Sequence, residues 1–339
     1  MRRFLLVPLG WLYGGVVRLR NVAYDRGMLS AATAAVPVIC VGNISAGGTG
    51  KTPLVEEIAQ WLIAEGRKVG ILSRGYGRTT SGYVRVSGQE TALVGDEPAQ
   101  ISINVPPAVV AVDEDRIRGA GRLVKDNGVQ VIVLDDGFQH RRLKRNLDIV
   151  AIRAHELIHG DAMLPAGNWR EPLSSLLRAQ SVVITQCTNG EEFHRVRTLL
   201  PKEFRGSVAG VRTNIRSIRR AIGNSEEPMD RCRGRRVAAF SGIGTPSAFR
   251  ATLTSLGMNV VEHSVFPDHH EYSAQDIEKL QRAAEESKPD MLVTTQKDLM
   301  RLRSMQFEKF LRSFPVFYSV AGLEWLAGDV EMRRLILSV

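Results

Sequence analysis

The stretch VGNISAGGTGKTP, residues 41–53, sets three glycines in four positions between an apolar run and an amphipathic one. Upstream, AVPVICVGN (35–43) is continuous, β-branched and apolar, the pattern of a buried strand. Downstream, LVEEIAQWLIAEG (54–66) repeats apolar residues at Leu54, Ile58, Trp61 and Leu62 and closes on Gly66, the pattern of a capped helix. A strand that enters a helix through a glycine loop turns successive backbone N–H groups towards the helix's positive end, which makes an anion site. The spacing fits a phosphate-binding loop in which the backbone of Ser45, Ala46, Gly47, Gly48, Thr49 and Gly50 cradles a nucleotide's phosphates. Lys51 would then reach the β- and γ-phosphates, and Thr52 would place its hydroxyl on Mg2+. Ser45 stands where the full pattern has glycine, which is tolerable if that backbone does not need a positive φ.

Such a loop needs a carboxylate at a neighbouring strand end to hold the metal shell. VIVLDDGFQHRRL (131–143) offers Asp135 and Asp136 after four apolar residues. Two adjacent carboxylates repel unless a cation or hydrogen bonds compensate. Further strands are expected at 68–73, 108–113, 129–136, 147–152 and 181–186, with a helix over 116–127. This alternation predicts a P-loop NTPase-like α/β domain with a mostly parallel sheet. Residues 206–235 are basic and turn-rich and predict a linker. A second alternating set from 236 predicts a smaller, Rossmann-like α/β domain. The expected divisions are therefore 1–34, 35–205, 206–235 and 236–339.

The formal net charge of +9 favours anionic partners. With no basic tail, nucleic-acid fold signature or aromatic-rich basic strand, a membrane surface or phosphorylated ligand ranks above nucleic acid. The three cysteines, Cys40, Cys187 and Cys232, lack metal-ligand spacing and read as buried small hydrophobes of a reducing compartment. FLLVPLGWLYGGVV (4–17) carries no charge, is flanked by Arg2, Arg3, Arg18 and Arg20, and is too short to span a bilayer. Pro8, Gly10, Gly14 and Gly15 weaken it as a helix. It reads either as an interfacial segment on anionic lipid or as a buried N-terminal helix.

Three clusters bear on the acceptor. SRGYGR (73–78) presents Arg74 and Arg78, whose forks suit phosphate. VGDEPAQ (94–100) places Asp96 and Glu97 on a loop, where a carboxylate can orient or deprotonate a hydroxyl or ligate a metal. FPDHHEY (266–272) gathers Asp268, His269, His270 and Glu271, without the spacing of a zinc helix; taken alone it is commonly a surface turn.

Together these motifs resemble the tetraacyldisaccharide 4′-kinases of lipid A biosynthesis. The matching stretches are RNVAYDRGML, VGNISAGGTGKTP, LSRGYGR, VGDEP, DDGFQHRRLKRNLDIV, LPAGNWREPLSSLLRA, FSGIGTPSAF, FPDHHEYS and TTQKDLMRL, in order from residue 20 to 302. Ser45 looks like that family's own variant of the loop. The resemblance implies two α/β domains, ATP and Mg2+ as cofactors, and transfer to the 4′-hydroxyl of a tetraacyldisaccharide 1-phosphate at the cytoplasmic face of the bacterial inner membrane. Neither a nucleic-acid nor an obligate protein partner is expected. It pairs Asp96 with His269 as the acid–base couple and gives Asp135 and Asp136 the metal role with Thr52, with Glu97 a metal neighbour. Arg74, Arg78, Gln139, His140, Arg141, Arg142 and Arg170 fall to the substrate. Asn168, Trp169 and Gln296 depart from the commoner family residues, at positions that carry no chemistry in this reading. The rival readings are an ATPase or GTPase switch acting on a protein or metal partner, and a non-catalytic lipid-surface binder with a vestigial loop.

Overall fold

The computed structural model describes residues 6–87, 91–268, 270–302 and 307–339. The chain divides into two compact units, residues 1–213 with 323–339, and residues 214–322.

The first unit opens with helix α1 (Val7–Asp25). The sequence weighs against a helix here, yet each offending residue is accommodated. Pro8 lies in the first turn, where a missing N–H costs nothing. Gly10 and Gly14 face inwards, where a Cβ on Gly10 would come within 3.0 Å of the Met163 carbonyl oxygen. The other side of the helix exposes Trp11, Leu12, Val16 and Leu19. No helix among the described residues is long and apolar enough to cross a membrane.

Strand β1 (Val38–Asn43) leads through the glycine loop into α2 (Lys51–Ala64), as the apolar patterns predict. Then come β2 (Val69–Ser73), β3 (Val84–Arg85), α3 (Thr91–Val94), α4 (Asp96–Asn104), β4 (Val109–Val112), α5 (Arg116–Asn127), β5 (Val131–Asp135), β6 (Leu147–Arg153), α6 (Ala154–His159), β7 (Ser181–Thr185) and α7 (Gly190–Arg197). The strand order in this unit is β8-β7-β6-β1-β5-β2-β4-β3, where β8 is Ser207–Arg220. The pairings are parallel except for the edge strand β3. β1 is flanked by β5 and β6 and is buried throughout, which accounts for its unbroken apolar sequence. The register Val41↔Asp135 sets the strand-end acids beside the start of the loop.

In the second unit, α8 (Met229–Cys232), β10 (Arg236–Ser241), α9 (Pro246–Ser255), β11 (Asn259–Val265), α10 (Ala274–Ser287), β12 (Met291–Thr295), α11 (Gln296–Leu302), α12 (Glu308–Ser313) and β13 (Val316–Ala327) follow β8 and the short β9 (Glu226–Glu227). The strand order is β11-β10-β12-β13-β8, with β9 antiparallel to β8. A separate core gathers Val237, Leu253, Met291, Val293 and Phe317.

Two divisions differ from expectation. The segment 206–235 is not a linker: it holds the 14-residue strand β8, the short β9 and the helix α8. Its arginines disguise a strand in which Ala209, Gly210, Val211, Ser217 and Ile218 are buried while Arg212, Arg216 and Arg220 face out. Residues 323–339, expected in the second domain, belong to the first unit, where the C-terminal helix Asp329–Leu337 packs against α2.

Candidate active site

The loop's conformation explains its residues. Gly47 and Gly50 have φ of 98° and 77°, the left-handed region that favours glycine. A Cβ at Gly47 or Gly48 would meet nothing within 4 Å, so their bare backbone lines open space. Ser45 has no positive φ, so a side chain is tolerated there; it is fully buried in a bridge with Trp169. Neighbouring segments hold the loop. The Ala46 N–H donates to the Asn168 carbonyl (2.7 Å), Asn43 Nδ2 to Thr49 Oγ1 (2.8 Å), and Thr185 Oγ1 to the Thr49 carbonyl (2.9 Å). Thr52 is buried in the first turn of α2.

The two strand-end acids are unlike. Asp136, at φ 50°, turns out of the strand and meets Lys51 Nζ at 3.5 Å and the Arg170 fork at 2.8 and 3.0 Å. Burial pushes its carboxyl up, but Lys51 and Arg170 outweigh that and hold it at about 2. Asp135 is 1% exposed; its Oδ2 accepts from Ser73 Oγ at 2.9 Å, and its Oδ1 is buried without a partner. Burial, then the carboxylates of Glu97 and Asp136, raise it to about 7 against the pull of Lys51 and the Ser73 hydroxyl. An orphaned carboxylate oxygen beside a phosphate-type loop is a fit site for a divalent cation.

Asp96 and Glu97 are not on a loop: they form the first turn of α4. Pro98 is compatible with a helix's first turn, and Gly95 makes the entry at φ 94°, where a Cβ would lie 2.7 Å from the Tyr76 carbonyl oxygen. The helix end thus fixes both carboxylates, and Glu97 lies close enough to Asp135 to raise its carboxyl.

The residues assigned to substrate separate into groups. Arg170 joins the phosphate loop through Asp136 and Asn43 Oδ1. Gln139 Nε2 donates to the Asn43 carbonyl (2.8 Å) and Glu171 (3.1 Å), and so braces the loop from below. His140 has a buried, unpartnered Nε2; burial and then the charges of Arg116 and Arg142 depress it to about 4, so it is neutral near pH 7. Arg74 is exposed. Arg78 instead bonds to Glu114 and to the Gly82 carbonyl (2.9 Å), which ties down its own loop. Arg141 is drawn to α1, pairing with Asp25 at 2.7 Å and donating to the Asn21 carbonyl at 3.0 Å. A long side chain on a glycine-rich stretch looks free in sequence; these two have found acidic partners far along the chain.

His269 lies outside the described residues. His270 is engaged within the second unit: its Nε2 meets Asp276 Oδ2 at 3.0 Å and its ring stacks on Phe266.

Two residues went unnoticed in sequence. Arg116, 5% exposed at the start of α5, lies in the field of Asp135 and Asp136, and its Nε has no partner. Glu171, fully buried, accepts both arms of Arg178 at 2.7 Å. A helix-opening arginine and a Glu before Pro carry no periodic or motif signal of burial.

Comparisons agree with this architecture. A family model described as Tetraacyldisaccharide-1-P 4′-kinase matches residues 2–335. The chain is 34% identical over 345 residues to a tetraacyldisaccharide 4′-kinase of Chlorobium phaeobacteroides, covering 99% of this chain and 97% of that one. It is 39% identical over 311 residues to the enzyme of that name from Chlorobium luteolum, covering 88% and 86%. A crystal structure of LpxK from Aquifex aeolicus in complex with ATP superposes with a TM-score of 0.79 at 32% identity, covering 100% of this chain and 99% of that chain. The chain belongs to the tetraacyldisaccharide-1-phosphate 4′-kinase family.

Proposed function

We propose that this chain is an ATP-dependent kinase that transfers the γ-phosphoryl group to the 4′-hydroxyl of a tetraacyldisaccharide 1-phosphate, a lipid A precursor. The observation that carries the reading is the pairing of an open glycine cradle with Asp135, whose buried Oδ1 lacks a partner. The cradle and Lys51 hold the phosphates. Thr52 and Asp135 would hold Mg2+, with Glu97 beside them, while Asp136 keeps Lys51 and Arg170 in place. Bound Mg2+ supplies charge neutralisation on the phosphates.

Asp96 is assigned as the proton acceptor. The acceptor oxygen bonds to the γ-phosphorus, the bond to the bridging oxygen of ADP breaks, and the hydroxyl proton passes to Asp96. Asp96→Ala is expected to lower kcat by roughly 10²–10⁴-fold, the span of general-base effects, with Mg2+–ATP affinity nearly unchanged. Calorimetry on the variant checks this; a collapse of nucleotide affinity contradicts the assignment.

The acceptor's acyl chains suit α1. Its exposed Trp11, Leu12, Val16 and Leu19, with Arg18 and Arg26 also exposed, favour seating on anionic lipid as a peripheral helix at the cytoplasmic face of the inner membrane. Burial of a large apolar side chain contributes about 1.5–3 kcal/mol, so Trp11→Ser with Leu12→Ser should weaken vesicle binding by on the order of 100-fold. Co-sedimentation with phosphatidylglycerol-containing vesicles measures it, and unchanged binding would remove α1 from the membrane.

A further inference from the structure

The inner side of α1 bonds to the segments that fix the phosphate loop. Asn21 Nδ2 donates to Glu171 Oε2 at 2.8 Å, and the Tyr13 hydroxyl donates to the Arg170 carbonyl at 3.2 Å. The backbone N–H groups of Arg170 and Glu171 both donate to the Ile44 carbonyl, at 2.7 and 3.1 Å, where β1 gives way to the loop. Through Gln139, Glu171 also reaches the carbonyl of Asn43. The Arg170 side chain ends on Asp136, the partner of Lys51. The carboxylate of Glu171 is thus the node between the helix and the loop.

A buried carboxylate is costly unless each oxygen is satisfied. The Arg178 fork alone would neutralise Glu171. The Asn21 and Gln139 amides instead fix its orientation along a line from α1 to the loop. We infer that Glu171 is a positioning residue for phosphoryl transfer, and that Asn21 and Tyr13 are the contacts by which a seated α1 sets the phosphate loop. This rests on the kinase reading for its turnover measurement but not for its binding measurement. If α1 is lipid-seated, the same contacts make full activity depend on that seating.

Asn21→Ala removes one amide from a half-buried helical site and raises helix propensity, so the fold is spared. Tyr13→Phe removes one hydroxyl and serves as the second variant. Loss of a supporting hydrogen bond behind functional groups typically costs 10–100-fold. Each variant is expected to lower kcat about tenfold on tetraacyldisaccharide 1-phosphate in detergent micelles and to weaken Mg2+–ATP binding several-fold by calorimetry. KM for the lipid, vesicle binding and Tm should stay at the parent's values. Both kcat and ATP affinity within about twofold of the parent, in either variant with an unchanged Tm, would overturn the proposal. So would a loss explained wholly by lipid KM or vesicle binding. A parent protein with no lipid turnover would refute the kinase reading, and the ATP affinities would still decide the positioning role.

Discussion

Lys51→Ala should abolish useful phosphoryl transfer, lowering kcat by on the order of 10²–10³-fold, the cost of removing one preorganised charge from a transition state. Lys51 is the first residue of α2, so its ammonium adds to the positive end of the helix and to the open N–H groups of the cradle. Its side chain is only 11% exposed and lies 3.5 Å from Asp136. In that partly dry setting a charge acts more strongly than it would in water. The substitution also leaves Asp136 to Arg170 alone, so the strand-end acid titrates upwards from about 2. The fold should survive, because alanine suits the first turn of α2 and Asp136 keeps its ion pair with Arg170. Steady-state turnover beside a melting curve separates the two effects; a variant that keeps a tenth or more of parental kcat contradicts the role given to Lys51.

Asp135→Asn should have opposite effects on stability and activity. The Asp135 carboxyl is raised to about 7 by burial and by the facing carboxylates. Between the unfolded value near 4 and that folded value, the folded chain holds a proton that the unfolded chain has released. The group's contribution to stability is therefore fully present below pH 4 and is lost as pH rises through 7. Asparagine is neutral at every pH and nearly the same size. With nucleotide absent and divalent ions chelated, Asp135→Asn should melt above the parent at pH 8, by on the order of 2–4 kcal/mol, and the gap should close towards pH 4. Turnover with Mg2+–ATP should fall by at least about 100-fold, since the carboxylate proposed to hold Mg2+ is gone. Melting curves at pH 5 and pH 8 check the first half. An asparagine variant that melts below the parent at pH 8 would mean that Asp135 is already compensated in the cation-free fold.

The contrast between these acids marks how far the sequence could be read. Loop, strand and helix were legible because burial on both faces demands an unbroken apolar β1, and because the backbone at Gly47 and Gly50 demands glycine. Helix α5 was legible to its ends, Arg116–Asn127, because Asp115 caps it and Gly128 closes it at φ 61°. The strand-end acids were visible as a pair, but their different states were not. Those depend on Arg170 and Glu97, which are neighbours only in the folded chain. β8 was hidden because its outward arginines interrupt the apolar signal, and α4 because a proline in a first turn reads as a breaker. Long-range pairing likewise decided Arg78 and Arg141, which chemistry alone allows to bind phosphate and the fold commits to Glu114 and Asp25.

Purified protein is incubated with γ-labelled ATP, Mg2+ and tetraacyldisaccharide 1-phosphate in detergent micelles, and the lipid is extracted and its new phosphate located. Label is expected on the 4′-oxygen of the lipid, dependent on Lys51. Label released only as inorganic phosphate, at a rate indifferent to the lipid, would contradict it and make the chain a nucleotide hydrolase.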